Sequence, residues 1–96
     1  MTSRDVEHYL LSRCAAAATG KLARASDQRE ANVFRLASML LRSRMPSEAA
    51  RLTTASECYF SQHPTDLLAS AEVVRNGWVL SVPRLRDMLT MQLRHH

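Results

Sequence analysis

The sequence predicts an all-α fold of about five short antiparallel helices, arranged as an array of helical hairpins, and three observations carry that reading. Only 2 of the 96 residues are glycine and 3 are proline, so helix-breaking positions are scarce and well separated. Apolar residues make up 46 % of the chain, which argues against disorder, and they recur at three- and four-residue spacing with no sustained strand-like alternation. The length fits a single domain over 1–96. A domain of this size buries roughly 60 to 65 % of its unfolded surface, and a stabilising partner would matter to it.

The first helix is predicted from about Arg4 to Thr19, entered through Thr2 with Asp5 as the acidic first-turn residue and stopped at Gly20. Its apolar stripe is Val6, Tyr9, Leu10, Cys14, Ala17 and Ala18. The consecutive alanines from Ala15 to Ala18 keep that face thin, so a neighbouring helix can approach closely. The stretch from Lys21 to Ser26 has no strong breaker and reads as a loop or a ragged extension.

Asp27, with Glu30 three positions on, begins the second helix as a capping-box-like pair, and Pro46 limits it. Phe34, Ala37, Ser38, Leu41 and Met45 form one stripe, and Val33, Leu36 and Leu40 widen it to an apolar arc of roughly 200°. An arc so wide needs two neighbours, and part of it is expected to meet another chain. Opposite it lie Asn32, Arg35, Arg42 and Ser43, with Met39 among them.

Pro46 suits the entry to a third helix reaching Tyr59 or Phe60, whose buried side is Ala49, Leu52, Ser56 and Tyr59. Large residues of helix two then face small ones of helix three. After His63-Pro64, Thr65 is read as the cap of a fourth helix of about ten residues bearing Leu67, Leu68, Ala71 and Val74, stopped at Asn76-Gly77. Pro83 opens a fifth with Leu85, Met88, Leu89 and Leu93 on one side. Short connections imply antiparallel neighbours.

The hairpin over about 28–63 has the length of one tetratricopeptide repeat. With Ala50 at the small position of the repeat's second helix, Phe34, Ser38 and Leu41 fall on its aromatic, small and bulky positions, while Thr54 and Glu57 depart from the later ones. Ordinary helix packing accounts for the same residues.

The runs LLSRCAAAATGK, REANVFRLASMLLRSRMPSEAARLTTAS, HPTDLLASA and NGWVLSVPRLRDMLTMQL resemble the tetratricopeptide-like needle-subunit chaperones of type III secretion systems. The likeness lies in Glu30-Ala31-Asn32 opening one helix and Glu48-Ala49-Ala50-Arg51-Leu52 opening the next, and it extends from Leu10 to Leu93. It implies a cytoplasmic chaperone that, with a smaller co-chaperone, cradles the amphipathic helix of the needle subunit in a groove and blocks premature polymerisation. In that reading the groove carries Asn32, Arg35, Leu36, Met39 and Arg42 from helix two, with Leu67, Leu68, Ala71 and Trp78 beyond it. Met39 would adapt to an apolar client stripe and the arginines would pair with client carboxylates. The alternative is the solvated side of a helix. Trp78 has two readings as well, an interface anchor or a core residue. Val6, Tyr9 and Leu10 would contact the co-chaperone, or simply seat helix one on helix two.

Other function classes fare worse. His8, His63, His95 and His96 show no metal-ligand spacing, and Gly-rich phosphate loops are absent, so an enzyme, a metal site and a cofactor are not expected. Cys14 and Cys58 are expected to be reduced and mostly buried. Thirteen basic against nine acidic residues give a net charge of +4, which raises a small helical nucleic-acid-binding protein as the alternative. Its arginines would be Arg35, Arg42 and Arg44 with Arg24 and Arg29, but basic residues are scattered through every segment and helix two is very apolar for a groove. A homo-oligomeric helical adaptor is the third possibility. No apolar run is long enough for a membrane span, and Asp5 and Glu7 stand where a secretory leader carries basic residues. A cytoplasmic location is the expectation.

Overall fold

The computed structural model describes residues 3–75 and 82–94, with the side chains of Ser3, Arg4 and Val6 left aside. Helix α1 (Ser3–Ala18) closes as the alanine run meets Gly20, whose φ of 86° is left-handed. The Gly20 amide donates to the Ala17 carbonyl at 3.2 Å and the Lys21 amide to Ala16 at 2.8 Å, the paired bonds of a Schellman cap. Beyond it Lys21 to Ser26 is a loop, pinned by the amide of buried Ala25 donating to the Ala55 carbonyl at 3.2 Å.

Helix α2 (Gln28–Leu41) begins as the capping pair predicts, with Asp27 Oδ1 accepting from the Glu30 amide at 2.9 Å. Helix α3 (Pro46–Phe60) follows a short turn with proline in its first turn. It runs antiparallel to α2, because Ser38 lies beside Ala49 and Thr53 while Arg24 and Ala25 lie beside Gln62 and Ala55. Helix α4 (Ser70–Arg75) and helix α5 (Val82–Arg94) complete an all-α fold, and the described residues hold no strand. Asn76, Gly77 and Trp78, predicted to end helix four and start the next link, lie outside the described residues.

Helix α2 is the centre of the molecule and packs on α1, α3, α4 and α5. Its predicted arc is therefore covered by this chain itself. Phe34, Val33, Leu36, Ala37 and Leu41 are all buried, together with Leu52 and Ala55 of α3, Leu10, Leu11 and Cys14 of α1, and Leu85, Leu89 and Leu93 of α5. The expectation that part of this arc needs another chain is corrected accordingly: α1 and α5 supply the extra neighbours.

Three further expectations change. Ala50 is exposed and the small residue in contact with Ser38 is Ala49, so the repeat register set on Ala50 is not the one the hairpin uses. Cys58 is exposed, whereas Cys14 is buried as expected; both thiols are free. The ten-residue fourth helix is replaced by a 3-10 turn, Pro64–Asp66, an extended link and the six residues of α4. Backbone groups that would propagate a helix from Thr65 are held instead by side chains of α2.

Candidate partner-binding surface

Those holding side chains define the candidate surface. Asn32 is fully buried: its amide Nδ2 donates to the carbonyls of Asp66 at 2.9 Å and Gln28 at 3.0 Å, and its Oδ1 accepts from the Leu68 amide at 2.8 Å. Gln28 Nε2 also donates to the Asp66 carbonyl, at 3.2 Å, and the Tyr59 hydroxyl donates to Asp66 Oδ2 at 2.8 Å. The Asp66 carboxylate holds the Tyr59 phenol above its ordinary range. One turn along α2, Arg35 Nη2 donates to the Leu68 carbonyl. The link from Pro64 to Leu68 is thus fastened to α2 and α3 by hydrogen bonds on both sides.

This fastening sorts the residues predicted for the groove. Arg35, Met39 and Leu68 come together, with Ser70 Oγ 3.9 Å and Arg35 Nη1 3.8 Å from Met39 Sδ. Met39 and Leu67 are 49 % and 53 % exposed, large apolar side chains left in solvent. Arg42 and Ala71 are also exposed. Asn32 and Leu36 do not line a groove: Asn32 is used up by the Asp66 to Leu68 link, and Leu36, on the border of the apolar arc, turns inward. Trp78 lies outside the described residues.

At the predicted co-chaperone contact, Leu10 is a core residue at 2 % exposure and is not available to another chain, because it points into the seam of α1 with the rest of the bundle. The Val6 side chain is outside those described. Tyr9 is 53 % exposed, with its hydroxyl donating to Glu30 Oε2 at 3.4 Å.

Glu30 organises this side of the molecule. At 1 % exposure, its carboxylate takes, besides the Tyr9 hydroxyl, two bonds from Arg13, Nε to Oε2 at 2.8 Å and Nη2 to Oε1 at 3.0 Å, and one from the Ser26 amide at 3.3 Å. Burial pushes its carboxyl upward, but the Arg13 guanidinium and the Ser26 amide and hydroxyl outweigh that and leave it below the ordinary glutamate value. The Glu30 bond in turn makes Arg13 a weaker acid than usual. Sequence reading assigned Glu30 only a capping role; the signal for more was Arg13, four positions after Tyr9 on the same side of α1.

Of the five arginines proposed for phosphate contact, Arg24 and Arg35 bond within the fold, as do Arg13 and Arg51 outside that set. Arg35 is tied to the Leu68 carbonyl, Arg24 to Gln62, Arg13 to Glu30, and Arg51 to the Ala18 carbonyl at 3.1 Å. Each serves a different seam. Among the described residues no group of three or more His, Cys, Asp and Glu is placed to hold a metal ion, and no helix is long and apolar enough to cross a membrane. Comparison of the chain with protein-family models, with curated proteins and with solved structures finds no match.

Proposed function

We propose that this chain is a small partner-binding chaperone of the kind its sequence resembles, one that with a smaller co-chaperone covers the amphipathic helix of a secretion-needle subunit in the cytoplasm. The observation that supports it is that Met39, beside Arg35, and Leu67, next in the chain to the Leu68 whose carbonyl Arg35 holds, are both about half exposed. A flexible thioether and a leucine give a client helix an apolar contact, and exposed Arg42, three positions after Met39, offers a charge to its carboxylates. The nucleic-acid alternative draws less support, since two of the five arginines it would use, Arg24 and Arg35, are engaged within the fold.

The test is capture of partners from the native host with this chain as bait, followed by light scattering of the purified complex. The expected result is a short, helical, polymer-forming subunit together with a second small protein, and loss of the subunit when Met39→Asp and Leu67→Asp are combined. Recovery of the chain by itself, or of nucleic acid lost steeply with salt, would discard the proposal.

A further inference from the structure

A cleft of about 370 Å³ opens between the turn after α2 and α5, lined by Arg44, Asp87, Thr90, Met91 and Arg94. It shares no residue with the surface of Met39 and Leu67. Two features mark it as a recognition site. Arg44 and Arg94 are both exposed and neither guanidinium makes a hydrogen bond or ion pair among the described residues. The same cleft holds Met91, at 58 % exposure the most solvent-accessible of the large apolar side chains described. Thr90 is not free to answer a ligand, because its hydroxyl donates to the Arg86 carbonyl at 2.8 Å.

The charge pattern selects the ligand class. Two guanidinium groups without a partner among the described residues call for a carboxylate or phosphate, for which arginine supplies a forked donor. Asp87 sits in the same cleft, held by Arg86 Nε at 3.4 Å. A polyanion would bring like charges against it. A peptide helix brings a single carboxylate, which it can set on the arginines with an apolar side chain on Met91 and a polar donor towards Asp87. We propose that this cleft docks an acidic amphipathic helix of a partner protein, with its carboxylate held by Arg44 and Arg94 and its apolar side chain seated on Met91.

The probe is a dye-labelled alanine-based helical peptide of about 16 residues bearing a glutamate and a leucine one turn apart, titrated with the full chain and read by fluorescence anisotropy. Saturable binding is expected, weakened at least about ten-fold by the combined R44E and R94E changes. Met91→Ala should weaken it as well, while Arg75→Glu, on α4, should leave it unchanged. Circular dichroism checks that the variants keep their helix content; a peptide with glutamine in place of the glutamate tests the same contact on the unaltered protein and should bind at least about ten-fold more weakly. Neither inorganic phosphate nor a short single-stranded DNA should displace the peptide. The proposal falls if no saturable binding is seen, if the glutamine peptide or the double variant binds equally well, or if the DNA competes, which would make the cleft a phosphate site. Because Met39 and Leu67 take no part, loss of the chaperone reading leaves this outcome unaffected.

Discussion

Helix α2 meets its two principal neighbours through seams of opposite chemistry. Against α3 the contact is small and apolar: Phe34, Ala37 and Leu41 on one side, Ala49, Leu52 and Ala55 on the other, with the Ser38 hydroxyl bonded to the Ala49 carbonyl at 2.9 Å. Against α1 the apolar contact ends in a forked ion pair, Arg13 on Glu30, with Glu30 nearly sealed from solvent. The first seam gains its strength from area removed from water and close packing, neither of which titrates. The second holds a charge whose desolvation must be offset by its partner, so it contributes more to geometry than to net stability. Apolar burial between α2 and α3 carries no pH dependence of its own, while the α1 seam adds to its buried Leu10, Leu11 and Cys14 one carboxylate that must remain ionised.

The comparison is broken most directly at Leu52. Leu52→Ala should cost about 3 kcal/mol, since the side chain is fully buried and α2 cannot close the gap; urea denaturation would show a lower midpoint at unchanged slope. A loss below about 1 kcal/mol would mean that the hairpin is not the strong element.

Arg13→Ala comes next, with an expected cost of about 2 kcal/mol, because it leaves Glu30 buried without its cation. The pH dependence separates this seam from the other. The Glu30 carboxyl is held below its ordinary value in the folded chain. Its stabilising contribution is therefore complete above the unfolded glutamate pKa and is lost as pH falls through the lower folded pKa. Thermal unfolding followed towards acid should show this loss in the unaltered chain and a weaker one in Arg13→Ala. The Leu52→Ala variant should keep the full acid slope.

The smallest effect is expected at Ser38. Ser38→Ala removes the bond to Ala49 and the hydroxyl contact with Thr53, and should cost about 1 kcal/mol. A cost above that of Arg13→Ala would show that the α2 to α3 seam is organised by its polar bond and would reverse the contrast.

Most of the framework was legible because its signals are local. Asp27 capping α2, Pro46 opening α3 and Gly20 closing α1 each act within a turn of their own position, and the apolar spacing of α2 and α5 names most of their buried residues. What escaped depended on distant partners. Asn32 sits at the polar edge of α2 by spacing alone, yet it is buried by a chain segment 34 residues away that no helical wheel contains. The same segment abolished most of the predicted fourth helix. Of the proposed groove, the exposed part, Met39, Leu67, Arg42 and Ala71, lies where helix polarity placed it or where a link happens to be open. Leu36, at the margin of its apolar arc, and Leu10, within the stripe of α1, both turn into the core, the outcome that the helix-seating reading of Leu10 already held open.

The Asn32 clasp also bears on how quickly anything can engage Leu67. An extended link of this kind ordinarily samples many backbone states, and an incoming molecule must wait for, and entropically fund, the one that fits. Here Asn32, Gln28 and Arg35 hold the carbonyls and amide on either side of Leu67 before any encounter. The leucine is presented at a set spacing from Met39. Association at this edge would then proceed as rigid docking, with its speed set by diffusion and orientation in place of chain rearrangement.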